Sequence, residues 1–353
     1  MANFKVKLKE AEAVVSKCAT NNGFYASAGR YKYEYWTRDF AHSLDTLLEL
    51  GYSELVKNHL IQIWKRQNGE GEAPTLVISN RMAWRRKKLK RARETGKIPF
   101  MLEHQENIEF LFNQWTKDST PLLLISTRKY TDYAHNKAFW DSKRNEIKKA
   151  VNYVDSVTKN GFLLGSDWRD TMTHLQDKAI LSNQVVLYEM NKAVGREDEA
   201  EKLKKKINAV FWNGNYYVDF KGSKNFDVFG SSLAVLSGII PQSRYDSTVL
   251  QLRESTSKYG MRNILIRDPG VEEKIVESCD QFSTIWPFVA GYAILALIKM
   301  QRDRFAESEL AKLTALEGFS EWYDATRGEA KGSRDQLWSA ALYLRAFNVL
   351  HRK

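Results

Sequence analysis

The sequence predicts an all-α protein whose helices form a closed double ring of six helical hairpins, an (α/α)6 barrel. Two observations predict this fold class. Apolar residues recur at intervals of three and four along most of the chain, which is the spacing of a helix with one buried face. Such segments number about a dozen once weaker ones are included, as six hairpins require. The strongest lie at 38–50, 53–66, 119–131, 139–158, 178–194, 197–211, 282–300, 304–316 and 334–350.

Weaker helical periodicity occurs at 5–19, 103–113, 227–237 and 242–258. Strand-like alternation is scarce, with one exception. Asn213-Gly214 separates two aromatic segments, and this dipeptide favours a tight hairpin turn. We therefore expect a small β-hairpin on a helical body.

The six prolines are scattered, and no Pro-rich or Ser/Gly-rich linker divides the chain, so residues 1–353 are predicted to form a single domain. The helix pairs share no repeated sequence, which disfavours an open solenoid. Cys18 and Cys279 have no CxxC or Cys/His spacing, so neither a disulfide framework nor a zinc site is expected. No metal or organic cofactor is predicted.

The segment that follows Met1 is charged and helical, without the features of a signal peptide. No apolar run approaches the roughly 20 residues that cross a bilayer. We therefore expect a soluble cytoplasmic protein that does not contact a membrane.

The net charge of +11 is concentrated in one segment, because residues 81–97 contain nine Lys/Arg and a single acid, Glu94. This segment could bind phosphates or an acidic partner, or it could be a solvated loop or helix end. The second interpretation is favoured, and nucleic acid is not an expected partner. A run so rich in charge is costly to bury, so replacing Arg85, Arg86, Lys87 and Lys88 with Ser is expected to leave the melting temperature nearly unchanged.

Polar and aromatic residues cluster before several of the predicted helices. Trp36, Arg38 and Asp39 combine a stacking face, a fork of donors and an acceptor, as sites for polyhydroxyl compounds do. Asp39 would equally suit the positive end of a helix. Asp118 occupies a capping position, with Pro121 in the first turn, and capping explains that pattern adequately.

Two later loops each offer a carboxylate in a glycine-punctuated segment. Residues 161–172 contain Asp167, Trp168, Arg169 and Asp170. Residues 318–341 contain Glu321. Because glycoside hydrolysis requires two carboxyl groups that flank the scissile bond, these loops are the candidates for such a pair.

In the order of these motifs, and over nearly the whole chain, the sequence resembles the six-hairpin glycoside hydrolases. It is most similar to the neutral and alkaline invertases, and more distantly to the amylo-α-1,6-glucosidase part of glycogen debranching enzymes. The motifs are Trp36-Thr-Arg-Asp-Phe40, Ser53-Glu-Leu-Val-Lys-Asn58, Gly96-Lys-Ile-Pro99, Asp118-Ser119, Trp168-Arg-Asp170, Trp286-Pro287, Glu321-Trp-Tyr-Asp324 and Gln336-Leu-Trp-Ser339.

The resemblance implies an inverting, exo-acting hydrolase that cleaves an α-glucosidic bond of an oligosaccharide or a small glucoside. It implies Asp170 as general acid and Glu321 as general base. The residues expected to contact the carbohydrate are Trp36, Arg38, Asp39, Asp118, Trp168, Arg169, Trp286 and Trp338. The chain departs from the invertases after Asp170, where Thr171-Met-Thr-His174 replaces a basic pair and a Met-Gly turn, so the leaving-group side of the pocket is expected to differ.

An aspartic acid that acts as general acid must be protonated near neutral pH, which requires burial or a nearby negative charge. Asp167 is expected to supply the charge and Trp168 an apolar wall, with the Arg169 guanidinium directed away, towards a sugar hydroxyl. Two alternatives stay open. One is a sugar epimerase or lyase on the same barrel, with His or Tyr as acid and base. The other is a basic helical protein that binds nucleic acid through residues 81–97.

Overall fold

A computed structural model describes residues 3–95, 109–267 and 281–352. The helices within these ranges are α1 (Phe4–Cys18), α2 (Thr37–Glu49), α3 (Ser53–Trp64), α4 (Arg81–Thr95), α5 (Ser119–Tyr133), α6 (Lys137–Ser142), α7 (Arg144–Val157), α8 (Leu181–Ala193), α9 (Glu197–Val210), α10 (Val228–Leu236), α11 (Tyr245–Glu254), α12 (Pro287–Lys299), α13 (Asp303–Ala315) and α14 (Leu337–His351). The strands are β1 (Glu34–Trp36), β2 (Leu76–Ile78), β3 (Phe110–Leu111), β4 (Thr158–Lys159), β5 (Phe162–Leu163), β6 (Phe226–Asp227), β7 (Ile264–Leu265), β8 (Trp322–Tyr323) and β9 (Ala330–Lys331).

Six helices form a closed inner ring. In the order α2, α5, α8, α10, α12 and α14, each packs against the next, and α14 packs against α2. Six others, α1, α3, α7, α9, α11 and α13, alternate with them along the chain and complete six hairpins. The predicted (α/α)6 barrel is confirmed.

The difference between inner and outer helices follows from their apolar patterns. Helix α8 is buried without interruption from Leu181 to Tyr188, as a helix with neighbours on all sides must be. Helix α9 buries only Ala200, Leu203 and Ile207, a single stripe at helical spacing. A helix with one apolar stripe can cover the ring but cannot be part of it.

All six inner helices begin at the same end of the barrel, which we call the N-terminal end. Each follows an outer helix that runs in the opposite direction, and the connecting segments contact one another there. Ile285 pairs with Tyr323, Ser27 pairs with Gln336, and the Leu181 amide donates to the Asp219 carbonyl. The short strands lie in these connections, in one three-stranded sheet and three two-stranded ones. The connections therefore form a rim of loops and small sheets.

Local sequence explains where the elements differ from the predicted ones. The segment predicted as one helix over 139–158 is divided at Lys143 into α6 and α7. Helix α12 begins at Pro287 rather than at 282, because proline is favoured in the first turn and disfavours helix in the residue before it. The part of 103–113 that is described contains β3 instead of a helix. Trp212 and Tyr217 form an antiparallel bridge across the turn at Asn213-Gly214, where a hairpin was predicted.

The basic segment forms helix α4, and two of its lysines make contacts that the expectation of a solvated segment does not include. Lys88 is 8% exposed, and its ammonium lies 2.7 Å from Oε1 of Glu34, which has no exposed surface. Lys87 donates to the carbonyl oxygens of Gly29 and Arg30, each at 2.7 Å. Both lysines lie on one side of α4 and hold the helix against the loop before β1. The other side of α4 faces solvent.

None of the helices in the described ranges is long and apolar enough to cross a membrane.

Candidate active site

A buried arginine connects three of the predicted site segments at the N-terminal end of the barrel. Arg38, in the first turn of α2, donates from Nε and Nη2 to the two carboxylate oxygens of Asp118, at 2.5 and 3.0 Å. Nη2 also donates to the carbonyl oxygen of Asp167 at 3.2 Å, and Nη1 lies 3.5 Å from Oδ2 of Asp170. Asp118 was predicted as a cap of α5, but its side chain makes no capping hydrogen bond and pairs with Arg38 instead. This bidentate contact with Asp118 fixes the plane of the Arg38 guanidinium group.

Asp170 is the accessible member of this cluster. Its side chain is 20% exposed, against 5% for Asp118. Gln281 donates from Nε2 to Oδ1 of Asp170 at 3.2 Å. Burial raises the pKa of Asp170, although Arg38 and the hydrogen bond from Gln281 oppose the shift. Asp170 therefore combines an accessible side chain with a tendency to hold its proton.

The predicted source of that shift is corrected. Asp167 was expected to repel Asp170, but both of its oxygens accept hydrogen bonds from Arg169, and Oδ2 accepts another from Ser182. The negative charge that raises the pKa of Asp170 is that of Asp118.

Glu321 is held by donors on both of its oxygens. Tyr31 donates from its hydroxyl to Oε1 at 2.7 Å, and the Ser333 amide donates to Oε2 at 2.8 Å. The Arg30 guanidinium lies 3.8 Å from Oε2. Hydrogen bonds and positive charge of this kind favour an ionised carboxylate, so Glu321 is suited to accept a proton.

Asp39 is a third carboxyl group, and the charges of Asp170 and Glu321 both act on it. Burial raises the pKa of Asp39 well above its ordinary value; Arg38 opposes the shift, while the charges of Glu321 and Asp170 add to it. Gln336 donates to Oδ1 of Asp39 at 2.9 Å. Asp39 therefore lies near both Asp170 and Glu321, the two carboxyl groups that the sequence predicted to form a pair.

Trp36 lies beside this cluster at the end of β1. Its indole Nε1 donates to Oε2 of Glu34 at 2.9 Å, and its ring meets the edge of Tyr31 at a centroid distance of 5.9 Å. Trp36 is only half-buried. It is the predicted site tryptophan that keeps an exposed surface for stacking.

Arg169 does not face the pocket. It is 1% exposed, and its guanidinium donates to both oxygens of Asp167 and both oxygens of Asp219. Its predicted role as a sugar contact is corrected, because its guanidinium is buried and occupied by these carboxylates. Arg169 instead ties the loop that carries Asp170 to the segment before α10.

Trp168, Trp286 and Trp338 were also predicted to contact the carbohydrate, and the structure places them deeper. Their exposed fractions are 3%, 2% and 4%. Trp168 and Trp286 meet edge to face at 4.8 Å, and Trp338 stacks on Phe288 at 3.9 Å. With their ring faces covered, these residues form an aromatic layer below the site.

The sequence did not predict several contacts of the candidate site. Gln281 and Gln336 orient Asp170 and Asp39, and Tyr31 orients Glu321. A glutamine has no distinctive signal in a single sequence, whereas Tyr31 could have been found as part of the aromatic run that leads to Trp36. The predicted motif Gly96-Lys-Ile-Pro99 lies outside the described residues. In the described ranges no group of three or more His, Cys, Asp or Glu side chains is arranged to hold a metal ion.

Similar folds are found among solved glycosidases. A GH63 mannosylglycerate hydrolase from Thermus thermophilus, in complex with Tris and D-glycerate, superposes with a TM-score of 0.71 at 11% identity, over 96% of this chain and 99% of that one. The chain has the fold of these hydrolases. A glycosidase variant gives a TM-score of 0.69 at 14% identity over 98% and 96% of the two chains, and another, in complex with glucose, gives 0.68 at 13%. No protein-family model and no curated protein sequence matches the chain.

Proposed function

We propose that this protein is an inverting, exo-acting glycoside hydrolase that cleaves the α-glucosidic bond of an oligosaccharide or a small glucoside. Asp170 acts as general acid and Glu321 as general base. The observation that carries the proposal is the contrast between the two carboxyl groups. Burial favours the protonated form of Asp170, whereas donors on both oxygens favour the ionised form of Glu321. A pair held in opposite protonation states is what glycoside hydrolysis needs.

In the proposed reaction, Asp170 protonates the glycosidic oxygen as the bond to the anomeric carbon breaks. Glu321 removes a proton from a water molecule that attacks the opposite face of that carbon. Arg38, Asp39 and the exposed surface of Trp36 bind the sugar. Because the acid must be protonated, activity falls as pH rises through the pKa of Asp170. Because the base must be ionised, activity also falls when Glu321 becomes protonated at low pH.

The alternative of an epimerase or lyase with a histidine acid or base receives less support. His42 lies one turn along α2 from Arg38, but its Nδ1 is 3.1 Å from the Tyr292 hydroxyl, and burial lowers its pKa to about 3. An imidazole with so low a pKa is a weak base at neutral pH.

The test begins with sugar release from sucrose, trehalose, maltose, isomaltose and limit dextrin. On the substrate found, Asp170→Asn and Glu321→Gln should each lower kcat by about 10² to 10⁴-fold. Asp177→Asn and Glu329→Gln are matched controls, because these carboxylates lie near the same loops and are largely exposed. NMR of the fresh product should show inversion. Retention, or an Asp170→Asn enzyme within about tenfold of wild type, would overturn the assignment.

A further inference from the structure

The inner ring encloses a cavity whose lining includes none of the candidate active-site residues. It has a volume of about 440 Å³ and is lined by residues from every inner helix. Most of these residues lie in the middle and C-terminal parts of the helices, whereas Arg38 and Asp118 lie at the starts of inner helices and Asp170 lies in the connection before α8. The cavity is therefore an axial well that opens at the opposite end of the barrel. Its volume is within the range of small-molecule sites.

An aromatic layer separates the well from the active site. His42 and Tyr292 line the well, and the His42 ring also contacts Phe229, Phe288 and Trp338. Trp338 and Phe288 stack at 3.9 Å, so this layer is closely packed. A ligand in the well would meet a closed floor and would not reach Asp170 or Glu321.

Much of the wall of the well is aliphatic, and the charged residues lie mainly towards its rim. It includes Ile125, Leu233, Leu236, Leu295 and Val349, all of which are only half-buried although they face the axis of the ring. Inner-ring residues of this type would normally be covered by neighbouring side chains, and here they surround a space instead. Such a surface favours a hydrocarbon over a sugar, which needs many hydrogen-bond partners.

The rim adds positive charge on one side. Lys299, the last residue of α12, lines the well, and its ammonium donates to the Leu236 carbonyl at 2.7 Å. Burial lowers the pKa of Lys299; Glu189 opposes this shift, while the neighbouring charges of Lys192 and Lys204 add to it. An anion beside Lys299 would offset the cost of burying its ammonium.

The other charges at the rim largely neutralise one another. Lys129 donates to both oxygens of Asp45 at 3.1 Å. Arg345 lies 3.7 Å from Asp45 and also contacts Glu49. Among the described residues that line the well, Lys129 and Arg345 are ion-paired, whereas the Lys299 ammonium contacts a carbonyl oxygen and forms no ion pair. The Glu189 carboxylate also lines the well and acts on Lys299 from beyond ion-pair distance.

We propose that the axial well binds an aliphatic carboxylate, with its hydrocarbon chain between the inner helices and its carboxylate beside Lys299. The aliphatic part of the wall accounts for the chain, and Lys299, the lining cation without an ion pair among the described residues, accounts for the acid group. This site is independent of the proposed hydrolysis, because the floor of the well lies between it and the candidate catalytic pair.

Isothermal titration calorimetry with hexanoate, octanoate and octan-1-ol tests the proposal on the full chain, without any turnover. One octanoate should bind per chain, about tenfold more tightly than octan-1-ol, since a hydrogen bond to a charged group is involved. Each CH2 added between hexanoate and octanoate should tighten binding about fourfold. Absence of octanoate binding, or equal binding of octanoate and octan-1-ol, would overturn the proposal.

Substitutions of residues that line the well test where octanoate binds. Leu295→Trp should fill the well and abolish binding of both ligands, and Ile125→Phe serves the same purpose if circular dichroism shows that the first variant does not fold. Lys299→Gln should weaken octanoate binding about tenfold and leave octan-1-ol binding unchanged. Lys148→Gln, at an exposed lysine of outer helix α7, is the matched control and should bind like wild type. Unchanged octanoate binding in the filled variant or in Lys299→Gln would contradict the proposed site.

Discussion

At the scale of single residues, the buried group around Arg169 carries more negative than positive charge. Asp167, Asp219 and Asp227 all lie within 4.0 Å of its guanidinium. Asp227 Oδ1 accepts a hydrogen bond from the Phe229 amide, while Oδ2 is buried and accepts none from the described residues. Burial raises the pKa of Asp227 to about 8; Arg169 opposes the shift, and Asp219 and Asp167 add to it. Burial and its acidic neighbours therefore favour the protonated form of Asp227 in the folded protein.

This proton makes stability depend on pH. An unfolded aspartic acid has a pKa of about 3.9, so between that value and about 8 the folded state binds a proton that the unfolded state lacks. The free energy of unfolding should therefore decrease as pH rises through this range, by at most about 1.4 kcal/mol per pH unit. Asp227→Asn keeps the Oδ1 acceptor and should remove this slope. Urea unfolding of both proteins at pH 5, 6.5 and 8 measures it, and parallel slopes would contradict the assignment.

Tyr31 provides a second test at this scale, since its hydroxyl is one of the donors that hold Glu321. A hydrogen bond to a charged group contributes about 1.5–3 kcal/mol, so Tyr31→Phe should lower kcat by roughly 10 to 150-fold. Loss of a donor also disfavours the ionised carboxylate, so the acidic limb of the pH–rate profile should move to higher pH. Tyr133→Phe, at an exposed tyrosine on α5, is the control. A lowered kcat with an unmoved acidic limb would indicate a purely structural role.

At the scale of elements, helix α4 has one anchored side and one free side. Lys88 pairs with Glu34, which also accepts hydrogen bonds from Trp36 and Trp84. Lys87 holds the backbone of the loop that carries Tyr31. Helix α4 therefore supports Trp36 and Tyr31, two residues of the candidate site, from outside the ring.

Substitution by Ser should therefore change the free energy of unfolding by different amounts on the two sides of α4. Replacing Lys87 and Lys88 with Ser should cost about 3–5 kcal/mol, because the buried Glu34 carboxylate would lose its charged partner. Replacing the exposed Arg85 and Arg86 with Ser should change stability by less than about 0.5 kcal/mol. Thermal and urea unfolding of the two double variants compare them directly. Equal effects would show that the anchoring contacts contribute little.

Helical periodicity identified all six inner helices, because each buries a continuous apolar surface that any ring position requires. The basic segment was misjudged, because its partner Glu34 lies about 50 residues earlier in the chain and nothing in either segment indicates the pairing. The role of Arg169 was misjudged for the same reason, since Asp219 follows it by 50 residues.

At the scale of the whole molecule, the site depends on closure of the ring. Its residues come from the connections before α2, α5, α8 and α14, which are distant in sequence. Sequence motifs could predict that Arg38, Asp118 and Asp170 share a site. They could not predict which tryptophans keep an exposed surface, because Trp36 and Trp338 differ in their neighbours and not in their local patterns.

Closure also brings the two ends of the described chain together. Helix α1 packs against α14, and the Phe4 ring lies 5.7 Å from that of Phe347 and 6.0 Å from that of His351. The two ends of the described chain are thus adjacent in space. The fold should therefore tolerate chain termini at a different position. A circular permutant that joins these ends by a short Gly/Ser linker and begins instead at Asn215, in the exposed turn after α9, should fold to the same barrel. Its circular dichroism spectrum and single unfolding transition should match those of the parent, whereas an unfolded permutant would show that the order of hairpin formation matters.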